Sequence, residues 1–88
     1  MLTRYFHNDM QYVFTYDIDS DYITIKNYDT GVEKSIRVRD SADYRIQINK
    51  RTLNANGGAR GAFCFLSDCI RQDFMLVYVN KVIENFNI

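Results

Sequence analysis

The chain has 88 residues, of which 47% are hydrophobic and 15% aromatic, and its acidic and basic side chains balance to a net charge of zero. A chain of this length holds one domain, and its apolar content excludes intrinsic disorder, which requires low hydrophobicity and high net charge. The neutral total also excludes a protein that coats nucleic acid through bulk positive charge.

Membrane insertion and secretion are not expected from the sequence. No segment approaches the roughly 20 apolar residues of a membrane helix, and the N-terminus lacks the apolar core of a signal peptide. The two cysteines do not make a disulfide framework, so a cytoplasmic, reducing location fits best.

Charge is unevenly distributed along the chain. Residues 1–31 contain five acidic and two basic side chains, whereas residues 32–60 contain seven basic and three acidic ones. Such an asymmetry is typical of a surface that receives an anionic partner.

Residues 1–20 carry two conflicting patterns. Several apolar side chains recur at helical spacing, whereas residues 11–17 are rich in the β-branched and aromatic types found in strands. We expect a helix here, with a strand as the alternative. The residues at helical spacing are Leu2, Phe6, Met10, Val13 and Phe14.

A β-hairpin is predicted over residues 22–38, because two alternating segments flank an Asp29-Thr30-Gly31 turn. A three-residue loop would place Lys26 opposite Lys34, which is unfavourable. A two-residue loop at Thr30-Gly31 brings the aliphatic residues together and is therefore the expected connection. It pairs Ile25 with Ile36, Ile23 with Val38, Thr24 with Arg37 and Tyr22 with Arg39.

Three further strands are predicted downstream. Residues 44–49 alternate and form the third strand, and Asn56-Gly57 marks a turn within residues 54–58. Two apolar runs, at residues 61–66 and 74–79, are expected to form a second, more buried hairpin.

A short helix is predicted at the C-terminus. Asn80 is the expected cap, and the helical face comprises Val79, Val82, Ile83 and Phe86. The predicted fold is therefore mainly β: a small antiparallel five-stranded barrel or curled sheet with short terminal helices.

No catalytic or metal-binding constellation is predicted, and no cofactor. A zinc site needs about four ligands, and His7 is distant in sequence from both Cys64 and Cys69. We expect Cys64 to be a small buried residue in a strand, Cys69 to lie near a turn and His7 to be solvated. Residues 17–21 lack the Gly and Glu of a calcium loop, and residues 57–61 lack the Gly-Lys-Ser/Thr ending of a phosphate loop, so both are expected to be plain connections.

The outer face of the first hairpin has the composition of a binding surface. Surfaces for single-stranded nucleic acid and anionic ligands combine aromatic rings, which stack on bases, with guanidinium groups, which bind phosphate. An antiparallel sheet also keeps a polar face in water without binding anything. In the expected register this face carries Tyr22, Thr24, Lys26 and Tyr28 beside Glu33, Ser35, Arg37 and Arg39.

Several segments are similar to those of one known family. Gly61-Ala62-Phe63-Cys64-Phe65-Leu66 and Val77-Tyr78-Val79-Asn80-Lys81-Val82 look like two successive strands of WYL domains. Ile23-Thr24-Ile25-Lys26-Asn27-Tyr28, Gly31 and Ser35-Ile36-Arg37-Val38 resemble the first hairpin of that family. The similarity covers roughly residues 13–86.

The resemblance implies a small Sm/SH3-like β-barrel that senses nucleic acid or a small anionic ligand. Such domains occur in bacterial transcription regulators and in defence or phage systems. The Trp-Tyr-Leu triplet that names the family is absent, because its place falls on Gly58-Ala59-Arg60. The family's ligand-binding basic positions would correspond to Arg37 and to Arg71, the latter replacing an Arg whose place falls on Met75.

We therefore expect a non-catalytic binding module for nucleic acid or a small anionic ligand, with a regulatory or defence-related role. The alternative is a protein-interaction module, such as a phage or mobile-element inhibitor of a host protein, because tyrosine is enriched at interface anchors. Exposed edge strands also allow a homo-oligomer. The candidate ligand-binding residues are Tyr22, Lys26, Tyr28, Arg37, Arg39 and Arg71.

Overall fold

Four antiparallel strands and two helices occupy the residues that the computed structural model describes, which are 1–37, 44–46 and 58–88. The strands follow one another in the order β1-β2-β3-β4. A 3₁₀ turn and the two helices come after them in the chain. The elements are β1 (Leu2–His7), β2 (Met10–Asp17), β3 (Tyr22–Asn27), β4 (Glu33–Ile36), the 3₁₀ turn (Tyr44–Ile46), α1 (Gly58–Arg71) and α2 (Leu76–Asn85).

A hairpin of β1 and β2 replaces the helix expected over residues 1–20, so that expectation is wrong. β1 and β2 pair without interruption from Leu2↔Thr15 to His7↔Met10. The two connecting residues, Asn8 and Asp9, have φ of 51° and 63°, as the type I′ hairpin turn requires. The apparent helical spacing was misleading, since residues four apart in sequence also lie on one face of a strand.

The hairpin predicted over residues 22–38 is confirmed for β3 and β4, but its register differs from both registers considered. Ile23 pairs with Ile36 and Lys26 with Glu33. The chain turns over residues 28–31, because the Asn27 N–H donates to the Val32 carbonyl at 2.8 Å. The opposite charges of Lys26 and Glu33 replace the like charges of the rejected alternative.

Residues 61–66 lie within α1 and residues 76–79 within α2, so the expectation of two strands over 61–66 and 74–79 is wrong. In α1 the buried positions recur three or four residues apart, so one stripe of the helix faces the sheet. The helix at the C-terminus is confirmed, but it begins at Leu76 behind Met75 rather than at Asn80. The buried residues of α1 are Ala59, Gly61, Ala62, Phe63, Leu66, Ser67 and Cys69.

The five-stranded barrel is likewise corrected. The described residues form an open four-stranded sheet with helices, a mixed α/β arrangement. Tyr44–Ile46 is a 3₁₀ turn rather than the start of a third strand. Residues 47–49 of that strand and the turn at Asn56-Gly57 lie outside the described residues. Neither described helix is long and apolar enough to cross a membrane.

The core lies between one face of the sheet and the two helices. Phe14, Ile23 and Ile25 are fully buried there, and the Tyr16 and Phe63 rings stack with centroids 5.8 Å apart. Burial of each such side chain contributes about 1.5–3 kcal/mol. The sheet and helix residues of this hydrophobic cluster are Tyr12, Phe14, Tyr16, Ile23, Ile25, Ile36, Ala59, Ala62, Phe63, Leu66, Cys69, Val79, Val82 and Ile83.

Three side chains of β1 connect this edge of the sheet to the helices. The Thr3 and Ser67 hydroxyl oxygens are 2.8 Å apart, and the Tyr5 hydroxyl donates to Asn80 Oδ1. His7 Nε2 lies 3.8 Å from a Glu84 carboxylate oxygen. The inward side chains of β1 are therefore polar and contact the two helices, whereas those of β2 and β3 are largely apolar.

Asn27 is a fully buried polar residue at the end of β3. Its Oδ1 accepts the N–H groups of Asp29 and Thr30 at 2.9 and 3.2 Å, and its Nδ2 donates to the Tyr12 hydroxyl at 3.3 Å. The Tyr12 hydroxyl in turn donates to the carbonyl of Ile88. The side chain of Asn27 thus fixes both the β3–β4 turn and the C-terminal end of the chain.

Candidate binding surface on the open sheet face

The sheet face opposite the helices is referred to here as the open face. Directly paired residues project to the same side of a sheet, so the strand registers define its members. Val13 illustrates the separation of the two faces: it is 6% exposed yet lies outside the cluster that packs on the helices. The open face comprises Leu2, Arg4 and Phe6 of β1, Gln11, Val13, Thr15 and Asp17 of β2, Tyr22, Thr24 and Lys26 of β3, and Glu33 and Ser35 of β4.

A row of hydroxyl groups crosses the middle of the open face. Thr15 pairs with Thr24 across β2 and β3, and Thr24 pairs with Ser35 across β3 and β4. The Thr24 and Ser35 hydroxyl oxygens are 2.9 Å apart, and the Thr15 hydroxyl approaches the Thr24 carbonyl at 3.5 Å. This row presents several donors and acceptors along one line.

A row with two cations lies next to the hydroxyls. Arg4, Val13, Lys26 and Glu33 pair in succession from β1 to β4. Val13 is buried although neither described helix packs on it, and Arg4 and Lys26 are its neighbours on either side. Long basic side chains cover apolar surface with their aliphatic stems while the charges stay in water. The row therefore displays positive charge above a small apolar floor.

Aromatic rings flank these rows and remain accessible. Tyr28 is 54% exposed and continues the ladder, since its N–H donates to the Gln11 carbonyl at 2.8 Å. Lys26 Nζ lies 5.3 Å from the centre of the Tyr28 ring, within the range of a cation–π interaction. Tyr22 and Phe6 are also exposed, so rings stand at both ends of β3 and on β1.

The structure brings together part of the site expected from the sequence. Tyr22 and Lys26 lie on β3 and Tyr28 directly follows it, and the even shift in register leaves these residues on their expected face. Arg37 is exposed and directly follows β4, where one further pair in the observed register would bring it opposite Tyr22. Arg39 lies outside the described residues.

Arg71 does not belong to this surface. It is in the last turn of α1, on the helix side of the sheet, and its guanidinium pairs with the Asp68 carboxylate. It also borders a groove beside residues 1–3 of the chain, and β1 and β4 are opposite edges of the sheet. Arg71 and Arg37 therefore cannot bind one small ligand together.

Sequence reasoning missed the residues that the β1–β2 hairpin contributes to the open face. Arg4, Phe6 and Val13 join the open face only because residues 1–20 form two strands. The signal was present in Asn8-Asp9, since both residue types tolerate the positive φ of a two-residue hairpin turn. Recognition of that turn would have placed β1 and β2 beside the predicted hairpin.

Cys64 and His7 differ in exposure from the sequence expectation, whereas Cys69 lies near the turn that follows α1 as expected. Cys64 is exposed and Cys69 is fully buried, because both lie on α1 and only Cys69 belongs to the buried stripe. Burial raises the pKa of the Cys69 thiol, and the nearby Asp68 carboxylate raises it further. The His7 side chain is 15% exposed against α2 rather than solvated. Within residues 1–37, 44–46 and 58–88 no group of three or more His, Cys, Asp or Glu side chains is arranged to hold a metal.

The two segments expected as plain connections differ in outcome. Residues 18–21 join β2 to β3, and Asp17 at the end of β2 accepts the N–H of Asp19 at 3.0 Å and the hydroxyl of Ser20 at 2.9 Å. The glycine-rich segment is instead helical from Gly58 onward, as the first turn of α1. Gly58 has a φ of 64°, a conformation that glycine adopts without strain.

Comparison of the chain with models of known protein families, with curated proteins and with solved structures gave no match. The resemblance to WYL domains accordingly stays a prediction of the sequence, and the functional argument depends on the open face itself.

Proposed function

We propose that the protein is a non-catalytic binding module whose open face holds single-stranded nucleic acid. One observation carries this proposal: the exposed Tyr22 and Tyr28 rings stand at the two ends of β3, with Lys26 and the hydroxyl row between them. Flat rings beside cations on a sheet face opposite the described helices are suited to bases and phosphates.

Each part of the surface has a distinct chemical role in this proposal. The rings of Tyr22 and Tyr28 stack on bases, which is worth about 1–3 kcal/mol per base and tolerates any sequence. Lys26 and Arg4 pair with phosphates, and Arg37 extends the positive charge past β4. The hydroxyls of Thr24 and Ser35 hydrogen-bond sugar or phosphate oxygens.

The charge balance predicts modest, salt-sensitive binding. Arg4, Lys26 and Arg37 supply three cations, whereas Asp17 and Glu33 on the same face supply two anions. For single strands the slope of log K against log salt is about −0.7 per phosphate neutralised, so three contacts give a slope of about −2. Duplexes are expected to bind more weakly, because their paired bases cannot reach the rings.

The proposal is tested by fluorescence anisotropy with labelled single-stranded DNA and RNA at two salt concentrations. Lys26→Ala is expected to weaken binding and flatten the salt dependence. Lys34→Ala is the matched control, because Lys34 is an exposed lysine paired opposite the inward-facing Ile25. Absence of binding by the wild type, or equal loss in the two variants, would contradict the proposal.

Mononucleotides form the second arm of this experiment, since a site for a small anionic ligand would share the same cations. Competition by a mononucleotide at concentrations similar to the oligonucleotide would identify a small-ligand site. Preference for the longer strand identifies the extended surface proposed here. A regulatory or defence-related role in the cytoplasm belongs to this proposal.

We propose protein docking as a second candidate function, favoured by a separate feature, the edge of β1, beyond which no described strand lies. An inhibitor from a phage or mobile element that binds a host protein would use such an edge. The following subsection argues the chemistry of that interaction.

A further inference from the structure

The outer edge of β1 offers unpaired backbone groups. The Tyr16 N–H donates to the Met1 carbonyl at 3.1 Å, which makes that pair hydrogen-bonded. Hydrogen-bonded pairs alternate along an antiparallel ladder, so Leu2, Arg4 and Phe6 direct their N–H and C=O groups away from β2. No described strand lies beyond β1, and these groups form a template for one more strand.

β1 lacks the features that protect sheet edges, whereas β4 has them. β4 has only four residues and carries the adjacent charges of Glu33 and Lys34, and short, charged edges resist pairing. β1 has six residues in unbroken register and a single formal charge, that of Arg4. Leu2 and Phe6 are 60% and 67% exposed beside it. The two edges of the sheet therefore differ in their readiness to pair.

A groove of about 460 Å³ runs beside this same edge, between residues 1–3 and α1. It is named here the edge groove. Phe63 and Met1 contribute apolar wall, and the hydroxyl pair of Thr3 and Ser67 spans the two sides. The exposed Cys64 lies along the same wall of α1. The volume of the edge groove is that of a small-molecule pocket, which is ample for one or two large side chains.

We infer that β1 and the edge groove bind an extended segment of another protein, which pairs with β1 as an additional strand. Main-chain hydrogen bonds supply affinity in such strand addition, and pockets for alternate side chains supply specificity. Apolar side chains of the segment enter the edge groove. The alternate side chains lie on the open face, where a carboxylate beside Arg4 and apolar residues beside Leu2 and Phe6 complement the surface.

A second copy of the chain fits this edge less well. Symmetric pairing centred on β1 would place two Arg4 side chains opposite each other, which is destabilising. The inward side chains that a second copy would offer to the groove are Thr3, Tyr5 and His7, and each already contacts its own helices. A foreign segment with free apolar side chains fills the groove, whereas a second copy leaves it empty.

The experiment uses a fluorescent synthetic peptide with the core Val-Leu-Glu-Leu-Val between Ser-Gly flanks, titrated into the full chain. When the peptide pairs antiparallel with its Glu opposite Arg4, the backbone nitrogens of that Glu and of the two Val face β1. Methylation of two of these nitrogens is expected to weaken binding about tenfold or more, since each lost hydrogen bond costs about 1 kcal/mol. A peptide with Lys in place of Glu should bind about three- to fivefold more weakly. Arg4→Glu should reverse this preference, which restores the charge pair in swapped order.

Cys64 gives an independent measure of where the peptide lies. The rate at which Cys64 reacts with Ellman's reagent should fall in proportion to the fraction of protein bound, and prior alkylation of Cys64 should block the peptide. Cys69 is buried and does not contribute to this rate. No binding, equal binding of the methylated peptide, or no protection of Cys64 would overturn the proposal. Concentration-dependent dimers that exclude the peptide would assign the edge to a second copy instead.

Discussion

The hydroxyl oxygens of Thr24 and Ser35 lie 2.9 Å apart across β3 and β4, and this contact fixes which residues share the open face. The hydrogen bond from Asn27 N–H to the Val32 carbonyl makes that pair hydrogen-bonded. By alternation Thr24 and Ser35 form a non-hydrogen-bonded pair, in which the side chains are closest. The open face is therefore defined by register rather than by exposure alone.

A disulfide is expected to form between cysteines introduced by Thr24→Cys and Ser35→Cys. Cα atoms of a non-hydrogen-bonded pair are about 4.5 Å apart, which is within disulfide range. Mass spectrometry of peptides after mild oxidation measures the bond. The control pairs Thr24→Cys with Arg37→Cys, as a two-residue loop would require. More efficient linkage in the control would show that the observed register is wrong.

Substitution of the buried amide by Asn27→Ala is expected to lower the free energy of unfolding by about 2–3 kcal/mol. The change removes the acceptor for the N–H groups of Asp29 and Thr30 and leaves the Tyr12 hydroxyl without its partner amide. Urea denaturation followed by circular dichroism measures the loss. Asn85→Ala, at the exposed end of α2, should stay within about 0.5 kcal/mol of the wild type. Equal effects would remove the structural role given to Asn27.

The Tyr16 hydroxyl should make stability sensitive to alkaline pH. Burial raises the pKa of Tyr16, and its hydrogen bond to Asp21 Oδ1 at 3.0 Å raises it further. The folded pKa of Tyr16 exceeds the unfolded value of about 10. The stability that the protonated Tyr16 hydroxyl contributes is therefore complete below pH 10 and is lost as the pH rises through the folded pKa. Urea denaturation across this alkaline range measures the decline.

Asp21→Asn should lower the Tyr16 pKa, since it removes the carboxylate charge while an amide tolerates the φ of 60° at this position. Titration of the Tyr16 ring carbons by nuclear magnetic resonance measures the change. Asp19→Asn in the same turn is the control and should leave the Tyr16 pKa as it is in the wild type. An unchanged Tyr16 pKa in Asp21→Asn would contradict the hydrogen-bonded arrangement.

The turn between β1 and β2 should accept glycine with a gain in stability. Asp9 has a φ of 63° in the two-residue connection between β1 and β2, and Gly is favoured at this position of a type I′ turn. Asp9→Gly is expected to raise the free energy of unfolding by about 0.5 kcal/mol. Asp19→Gly, whose backbone needs no positive φ, should instead lower it. Thermal denaturation of both variants decides, and a loss in Asp9→Gly would argue against the turn type.

Local sequence patterns predicted which residues of the β3–β4 hairpin lie on each sheet face, but not the register of the two strands. Alternation along β3 and β4 identifies Ile23, Ile25 and Ile36 as inward without any knowledge of the fold. The register depended on the side chain of Asn27, which accepts two N–H groups of the turn and lengthens the loop to four residues. A shift of two residues preserves side-chain direction, so the β3 residues that share the open face were predicted correctly from an incorrect pairing.

The helices could not be distinguished from strands by composition. Residues 61–66 contain aromatic and small apolar types that suit a buried strand as well as a buried helix. The helical stripe of α1 becomes evident only over its full 14 residues, where Ala59, Ala62, Leu66 and Cys69 follow a three- or four-residue interval. Arg71 was expected at the ligand site because residues 61–79 were predicted as a hairpin. As part of α1 it lies on the helix side of the sheet instead.

The most direct test of the open face is the response of its side chains when a single-stranded oligonucleotide is added. We predict that nuclear magnetic resonance signals of the Tyr28 ring and the Thr24 methyl group shift progressively, while the exposed Val77 methyl groups on α2 stay in place. Shifts confined to Val77 and its neighbours, or no shift at any site at saturating oligonucleotide, would contradict the assignment of the open face as the binding surface.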